Sequence, residues 1–200
     1  RKHRGEMRWN NYTAYEIRII GAFVRLGKRD IANELLAFFL SDRRPLEWNQ
    51  WPEITWRDPR SPGHLGDVPH TWIAAEYILA LSSMVAAERE ASASMVLASG
   101  MPWEWISQEN GFSVKNLVTR FGTLDFRIAA GTETIRVKVG GNLTLPPGGL
   151  HVTPPLPHGM RIVSAAGGDG KHVHTTHTTA TVDRLPFEAE LHFGSRRILA

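Results

Sequence analysis

The sequence contains no cysteine and no apolar run of the ~18 residues that a membrane helix needs. The absence of cysteine excludes disulfides and thiolate metal sites. The excess of positive charge is also small, because 23 basic residues stand against 20 acidic ones and leave a net charge of +3. The charges are interspersed, so nothing indicates a nucleic-acid-binding surface. We therefore expect neither a membrane nor a nucleic acid as a partner.

Tryptophan is missing after residue 105, although the first 105 residues are rich in it. The seven tryptophans are Trp9, Trp48, Trp51, Trp56, Trp72, Trp103 and Trp105. The sequence begins at Arg1, with neither an initiator methionine nor an apolar signal segment. We expect the 200 residues to be the C-terminal piece of a larger polypeptide, made of two unlike parts.

Helical spacing of apolar residues predicts three helices in the first part. Residues 13–16 have the Thr-x-x-Glu spacing of a capping box, and the pattern that follows ends at Gly27. Asp30 can cap a second helix, which gives an αα-hairpin. A third helix is predicted over about 69–92. It is apolar on most sides, which is typical of the inner layer of a larger helical assembly.

The second part has the two-residue period of β-strands. Residues 123–128 and 134–139 alternate apolar and charged side chains. Shorter strands are expected around 150–153, 161–163, 171–176 and 187–193, between breaks rich in proline and glycine. We therefore predict an α+β fold, with helical hairpins over 1–110 and an antiparallel β-sandwich over 111–200.

The connection over 42–69 is long and rich in tryptophan, and we interpret it as an ordered loop above a site. Indole faces stack on sugar rings, while asparagine, glutamine, arginine and aspartate side chains bind hydroxyls. A carboxylate among indoles can also have a raised pKa, because desolvation disfavours its charged form. The composition is compatible with a carbohydrate cleft. In the alternative interpretation, the tryptophans plug the end of a helical bundle.

A family resemblance adds to this interpretation. Trp51-Pro52-Glu53 is followed by a polar loop and then by the run Gly66-Asp67-Val68-Pro69-His70-Thr71-Trp72-Ile73-Ala74-Ala75-Glu76-Tyr77. The arrangement resembles the catalytic-base loop and inner helix of glucoamylase-like six-hairpin glycosidases. The resemblance implies a partial (α/α)6 toroid, completed by the remainder of a larger polypeptide and followed here by the β-sandwich.

By the same resemblance, this chain belongs to a glycoside hydrolase that acts on an oligo- or polysaccharide by carboxylate acid/base catalysis. Glu53 would be the general base that activates water, and the general acid would lie upstream of Arg1. The residues expected to bind substrate are Trp9, Asn10, Trp48, Trp51, Trp56, Arg57, His70 and Trp72. Without its missing part, the chain is expected to be inactive.

Three alternative functions remain open at this point. They are a disaccharide or oligosaccharide phosphorylase, a polysaccharide lyase, and a non-catalytic carbohydrate-binding or scaffolding module. The other acids near the loop, Glu47 and Asp58, are expected to make loop hydrogen bonds or to bind a sugar hydroxyl, and Glu104 is expected to pack between the domains.

No cofactor or metal is expected. The glycine-rich stretches match neither the P-loop nor the dinucleotide-binding pattern. On a strand, His172 and His174 share one face and His177 falls on the other, so we interpret these histidines as an exposed polar strand.

Overall fold

The computed structural model describes residues 4–58, 60, 68–170 and 172–195. The chain forms two compact units, Arg1–Ser83 and Met84–Ala200, whereas the sequence indicated a division near residue 110. The difference arises because the chain becomes strand directly after the third long helix. We describe each unit by itself.

The first unit combines helices with one small sheet. Its regular elements are β1 (Asn11–Thr13), α1 (Ile19–Arg25), α2 (Arg29–Ser41), β2 (Ile54–Trp56) and α3 (Thr71–Val85), the last two residues of which belong to the second unit. Strands β1 and β2 are antiparallel, with Tyr12 opposite Thr55. Short 3₁₀ turns cover Ala14–Arg18 and Leu46–Trp48.

Helices α1 and α2 form the predicted αα-hairpin, and Gly27 ends α1 as expected. Gly27 has φ +69°, the left-handed region that glycine adopts without strain. Its amide donates to the Val24 carbonyl (3.0 Å), and the Lys28 amide donates to the Phe23 carbonyl (2.8 Å). These two bonds make a Schellman motif, which satisfies carbonyls that the helix end would otherwise leave unpaired.

The predicted start of the first helix near Thr13 is met only in part, since helical backbone begins at Ala14 but as a 3₁₀ turn. Thr13 makes no side-chain capping bond, and the residues after it form the 3₁₀ turn, so α1 begins only at Ile19. Asp30 likewise lies within the first turn of α2 rather than capping it, because Lys28 occupies the N-cap position. An acidic side chain in the first turn still stabilises the helix through the helix dipole.

The second unit is built mainly from strands. Its elements are β3 (Ala86–Arg89), β4 (Ser94–Leu97), α4 (Trp103–Ile106), β5 (Phe112–Thr119), β6 (Gly122–Ala130), β7 (Thr134–Gly140), β8 (Leu150–Val152), β9 (Met160–Gly167), β10 (Ala180–Val182) and β11 (Phe187–Ser195). They form a four-stranded sheet in the order β10-β8-β4-β3 and a five-stranded sheet in the order β5-β6-β7-β11-β9. The sheets are not purely antiparallel, because β4 and β8 are parallel.

The two sheets of this unit share one hydrophobic core. Leu97, Leu150 and Val152 of the smaller sheet pack in the same cluster as side chains of the larger one, such as Phe126 and Val137. Along β7 the buried residues alternate with exposed charged ones, as the sequence pattern predicted. Burial of each large apolar side chain contributes about 1.5–3 kcal/mol, so this core is the main source of the unit's stability.

The predicted partial (α/α)6 toroid is wrong. The described residues contain four α-helices, of 7, 13, 15 and 4 residues. Most other regular elements are strands, which form three sheets. The third helix ends at Val85 instead of continuing to about residue 92, because Ala86–Arg89 pair with Ser94–Leu97 as antiparallel strands. A six-hairpin toroid is built from successive helical hairpins, whereas the described residues contain one hairpin, α1 and α2, followed by α3.

The expectation that α3 is buried on most sides is also met only in part. Ile73 and Ala80 are buried, at 1% and 2% exposure. Trp72, Ile78 and Leu79 are exposed by 56%, 61% and 61%. None of the helices in the described part of the chain is long and apolar enough to cross a membrane.

Candidate functional site

A pocket of about 280 Å³ lies in the first unit, between the tryptophan-rich loop and the start of α3. Among the residues that line it are Trp48, Gln50, Trp51, His70, Ile73 and Tyr77. Three of the predicted substrate-binding residues, Trp48, Trp51 and His70, therefore come together although they are up to 22 positions apart (70 − 48). Gln50 and Tyr77 are pocket residues that the sequence analysis missed.

Trp51 forms a fixed wall of this pocket. Its side chain is only 3% exposed, and its indole N–H donates to the carbonyl of Phe39 over 2.8 Å. The ring centroids of Trp51 and Tyr77 are 5.1 Å apart, with planes inclined by 50°. Trp51 is thus held by packing and by a hydrogen bond, and it supports the pocket without depending on a ligand.

Trp48 lies at the same pocket but is 60% exposed. It ends the 3₁₀ turn Leu46–Trp48, and Asn49 follows in the left-handed region with φ 53°. The Asn49 side chain accepts a hydrogen bond from Arg43, which holds this reversal of the chain. An exposed indole on an anchored turn can present its face to a ligand.

Two buried polar atoms at the pocket lack partners. Nδ1 of His70 and Oε1 of Gln50 are buried and have no hydrogen bond within the described part of the chain. Leaving such an atom unpaired costs about 1–3 kcal/mol. The pocket therefore combines aromatic walls with hydrogen-bonding groups that a polar ligand can satisfy.

The other ring nitrogen of His70 is engaged. The Tyr15 hydroxyl and His70 Nε2 are hydrogen-bonded at 3.1 Å, and the two rings meet edge to face with centroids 5.4 Å apart. Tyr15 also lies 4.7 Å from the Trp72 ring, whose N–H donates to Glu76 over 3.1 Å. Tyr15 thus connects His70 to Trp72, and it is a residue that the sequence did not single out.

The remaining predicted binding residues form a second group beside β1 and β2. The amide of Arg57 donates to the Asn10 carbonyl (2.7 Å), and its guanidinium lies 6.0 Å from the Trp9 ring centroid. Trp56 pairs with Asn11 in the small sheet. The indole N–H of Trp56 is buried and has no acceptor among the residues that the structure describes.

Glu53, the predicted general base, lies directly before β2 and is half-buried. Its carbonyl accepts a hydrogen bond from the Ala14 amide over 3.1 Å, which anchors this part of the loop. Glu53 is not among the residues lining the pocket, and neither is any other carboxylate of the described segments. Because Glu53 follows Trp51 by two residues, its Cα lies at most about 7 Å from that of Trp51.

A partly buried group of side chains, Tyr12, Asp42 and Arg44, which we call the Tyr12 network, lies beside this loop. The Tyr12 hydroxyl donates to Oδ2 of Asp42 over 2.6 Å, and Nη2 of Arg44 donates to Oδ1 over 2.6 Å. Arg44 also donates to the carbonyl of Trp56. Burial, together with the hydrogen bond to the Asp42 carboxylate, raises the pKa of Tyr12 well above its ordinary value near 10. The network ties the end of α2 to both strands of the small sheet.

The other acids considered in the sequence are exposed. Asp58 accepts hydrogen bonds from the backbone and side chain of Arg60, and these bonds hold the pKa of Asp58 below its usual value. A carboxyl of lowered pKa is poorly suited to donate a proton near neutral pH. Glu47 and Glu104 are both exposed, in the 3₁₀ turn of the loop and in α4. Gly66 and Asp67 of the family-like run lie outside the described residues.

The histidine-rich segment of the second unit brings two rings together. The rings of His172 and His174 meet edge to face, with centroids 5.6 Å apart. Within the ranges that the structure describes, no three or more His, Cys, Asp or Glu side chains are grouped as metal ligands would be.

No protein-family model, curated protein or solved structure matches this chain. Functional assignment therefore depends on the geometry of the site.

Proposed function

We propose that the chain is part of a glycoside hydrolase and that the 280 Å³ pocket binds a sugar ring of its substrate. One observation carries the proposal: the aromatic side chains of Trp48 and Trp51 and the unpaired polar atoms of Gln50 and His70 line the same pocket. Indoles stack on the C–H faces of sugars, and the polar atoms suit their hydroxyls. The volume is near the lower end of the ~300–1,000 Å³ of small-molecule sites, which suits a single ring.

In this proposal Glu53 is the general base. Its support from the structure is its position two residues after the pocket wall Trp51; the resemblance of residues 51–77 to glucoamylase-like glycosidases suggested this role, although the toroid that it implied is not formed by the described residues. Hydrolysis with inversion also needs a carboxylic acid ~6.5–9.5 Å away, on the other side of the glycosidic bond. That acid is expected from the remainder of the polypeptide, since Asp58 is engaged by Arg60 and has a lowered pKa.

The binding part of the proposal can be tested on the chain itself with Trp48→Ala. Trp48 is mostly exposed, so its removal leaves the fold intact, whereas Trp51 is buried and its removal would disturb packing. We expect tryptophan fluorescence to report binding of at least one of maltose, cellobiose, trehalose and chitobiose. Trp48→Ala should weaken that binding by about tenfold or more, which corresponds to ~1.4 kcal/mol.

Leu46→Ala is the matched control, because Leu46 is 50% exposed on the same 3₁₀ turn but does not line the pocket. This control variant should bind like the unaltered chain. If none of the four disaccharides binds, or if the two variants behave alike, the pocket is not a sugar site.

The catalytic part of the proposal is tested in the complete polypeptide that would also supply the general acid. Glu53→Gln keeps the size of the side chain and removes its basicity, so hydrolysis of a bound glycoside should be lost while its binding stays within about twofold. Normal turnover in this variant would show that Glu53 is not the base.

A second candidate function is a carbohydrate-binding module without catalysis. The observation that favours it is the lining of the pocket, which includes no carboxylate of the described residues. In that case the native protein binds the sugar in a manner that depends on Trp48, and neither the unaltered protein nor Glu53→Gln hydrolyses it.

A further inference from the structure

The second unit contains a groove whose lining is rich in hydrogen-bond donors and is independent of the sugar pocket described above. The groove has a volume of about 410 Å³ and lies between the start of the edge strand β9 and the segment 175–177. Its lining residues are Arg161, Ile162, Val163, Thr175, Thr176 and His177. None of these side chains is a carboxylate, so the charged group of the groove is the Arg161 guanidinium.

The guanidinium of Arg161 has an unpaired donor. Its Nε is buried and has no hydrogen-bond acceptor in the part of the chain that the structure describes. Asp169, an acid close by in sequence, is paired with Arg184 at 2.6 Å. A buried donor without an acceptor is costly, and an arginine donor is best satisfied by an oxyanion.

The backbone holds the opposite side of the groove in place. The amide of Ile162 donates to the His177 carbonyl over 2.8 Å, which fastens the segment to the edge strand. The Thr176 hydroxyl oxygen accepts from the amides of Thr178 and Thr179, at 3.3 and 3.1 Å. Because that oxygen already accepts these bonds, the hydroxyl hydrogen of Thr176 remains available as a donor.

We propose that this groove is an oxyanion-binding site, which takes a phosphate, sulfate or carboxylate group. The Arg161 guanidinium supplies charge and hydrogen bonds in a fixed plane, and Thr175 and Thr176 supply hydroxyl donors. The imidazole of His177 adds a further ring N–H. Val163 also lines the groove and is 55% exposed, so the groove is open to solvent on that side. The rest of a molecule that carries the anion can extend there.

The test follows the Nε–H signal of Arg161 by NMR in ¹⁵N-labelled chain, assigned by its loss in Arg161→Gln. Sodium phosphate, sodium sulfate and sodium acetate are titrated separately, against sodium chloride at matched ionic strength. We expect a saturable shift of this signal and of the Thr175 and His177 amides with at least one of the three oxyanions. The anion that binds most tightly identifies the kind of group that the groove accepts.

Two variants and a control separate a built site from general attraction of anions. Arg161→Gln should weaken binding, followed at the two amides, by at least tenfold. Thr175→Val, which replaces the hydroxyl of an exposed residue by a methyl group, should weaken binding by about threefold to tenfold. Arg120→Gln removes one positive charge from an exposed ion pair with Glu90 and should leave binding unchanged.

The proposal is overturned if no oxyanion gives a saturable shift beyond that of chloride. It is also overturned if Arg161→Gln and Arg120→Gln reduce binding equally, since the response then reflects net charge alone. Neither result bears on the sugar pocket, which lies in the other unit.

Discussion

Replacement of Tyr12 by phenylalanine perturbs the Tyr12 network at a single atom. The phenylalanine ring keeps the aromatic contacts with Phe38 and Phe39, whose centroids lie 5.6 and 6.0 Å from that of Tyr12. The substitution removes only the hydroxyl that donates to the Asp42 carboxylate over 2.6 Å. Since a hydrogen bond to a charged group is worth about 1.5–3 kcal/mol, we expect Tyr12→Phe to lower the free energy of unfolding by that amount at pH 7.

The same substitution changes how stability depends on alkaline pH. The raised pKa of Tyr12 means that, above about pH 10, the unfolded chain loses the phenolic proton while the folded chain keeps it. The contribution of this group to stability is therefore complete below pH ~10. It is lost as the pH rises toward the raised folded-state pKa, at about 1.4 kcal/mol per pH unit. In Tyr12→Phe the free energy of unfolding should therefore fall less steeply with pH above about pH 10 than in the unaltered chain.

The assay is urea unfolding at pH 7, 10.5 and 11.5, followed by tryptophan fluorescence, because most of the tryptophans lie in the first unit. Tyr15→Phe is the control at pH 7, since it removes a hydroxyl that bonds to His70. This bond does not involve a carboxylate, and a typical hydrogen bond is worth only about 0.5–1.5 kcal/mol, so the control should lose less stability. The reasoning is refuted if Tyr12→Phe costs less than ~0.5 kcal/mol at pH 7, or if it keeps the full alkaline slope of the unaltered chain.

Two further predictions concern the second unit, with unfolding monitored by circular dichroism. A Cβ at Gly148 would overlap the carbonyl oxygen of Ser92, so Gly148→Ala should lower the free energy of unfolding by about 1–3 kcal/mol. Gly140→Ala is the control, because a Cβ there meets nothing within 4 Å and should have little effect. Equal losses in the two variants would contradict the steric reasoning. Phe126→Ala removes a ring that is 2% exposed and should cost about 3–5 kcal/mol, while Val118→Ala, at a site 82% exposed, should cost less than ~0.5 kcal/mol. A loss below ~1 kcal/mol at Phe126 would show that this part of the core is not tightly packed.

Features that depend on neighbouring residues could be predicted from the sequence. The helix end at Gly27 is confirmed, because a left-handed residue there is a local requirement of the chain. The alternating stretches 123–128 and 134–139 lie within β6 and β7, because one face of each strand is buried. Both signals are contained in a few consecutive residues.

The end of α3 could not be predicted in this way. Residues 86–92 are all alanine, glutamate, arginine or serine, and their composition favours helix. In the structure, Ala86–Arg89 instead pair with Ser94–Leu97, and Met95 and Leu97 are fully buried in the core of the second unit. The free energy gained by pairing and burial exceeds the small differences in helix propensity, which are below about 1 kcal/mol per residue.

At the candidate site, too, some features could be predicted from the sequence and others depend on tertiary contacts. Its tryptophans could be identified from composition, but their grouping could not, and they form one set at the pocket and another beside β1 and β2. Gln50, Tyr15 and Tyr77 were not predicted from the sequence as site residues. Their importance comes from side chains that meet although they are distant in sequence, as with Trp51 and Tyr77 or, across 55 positions, Tyr15 and His70.

Composition and local pattern thus determine that this chain has a helical hairpin, a tryptophan-rich loop and a strand-rich second half, because each depends on short-range periodicity or on a turn residue. Tertiary structure alone decides where α3 stops, which strands share a sheet and which indoles face a common pocket. Those outcomes depend on hydrogen bonds and burial between distant residues, whose free energies are larger than the local preferences that a sequence pattern records.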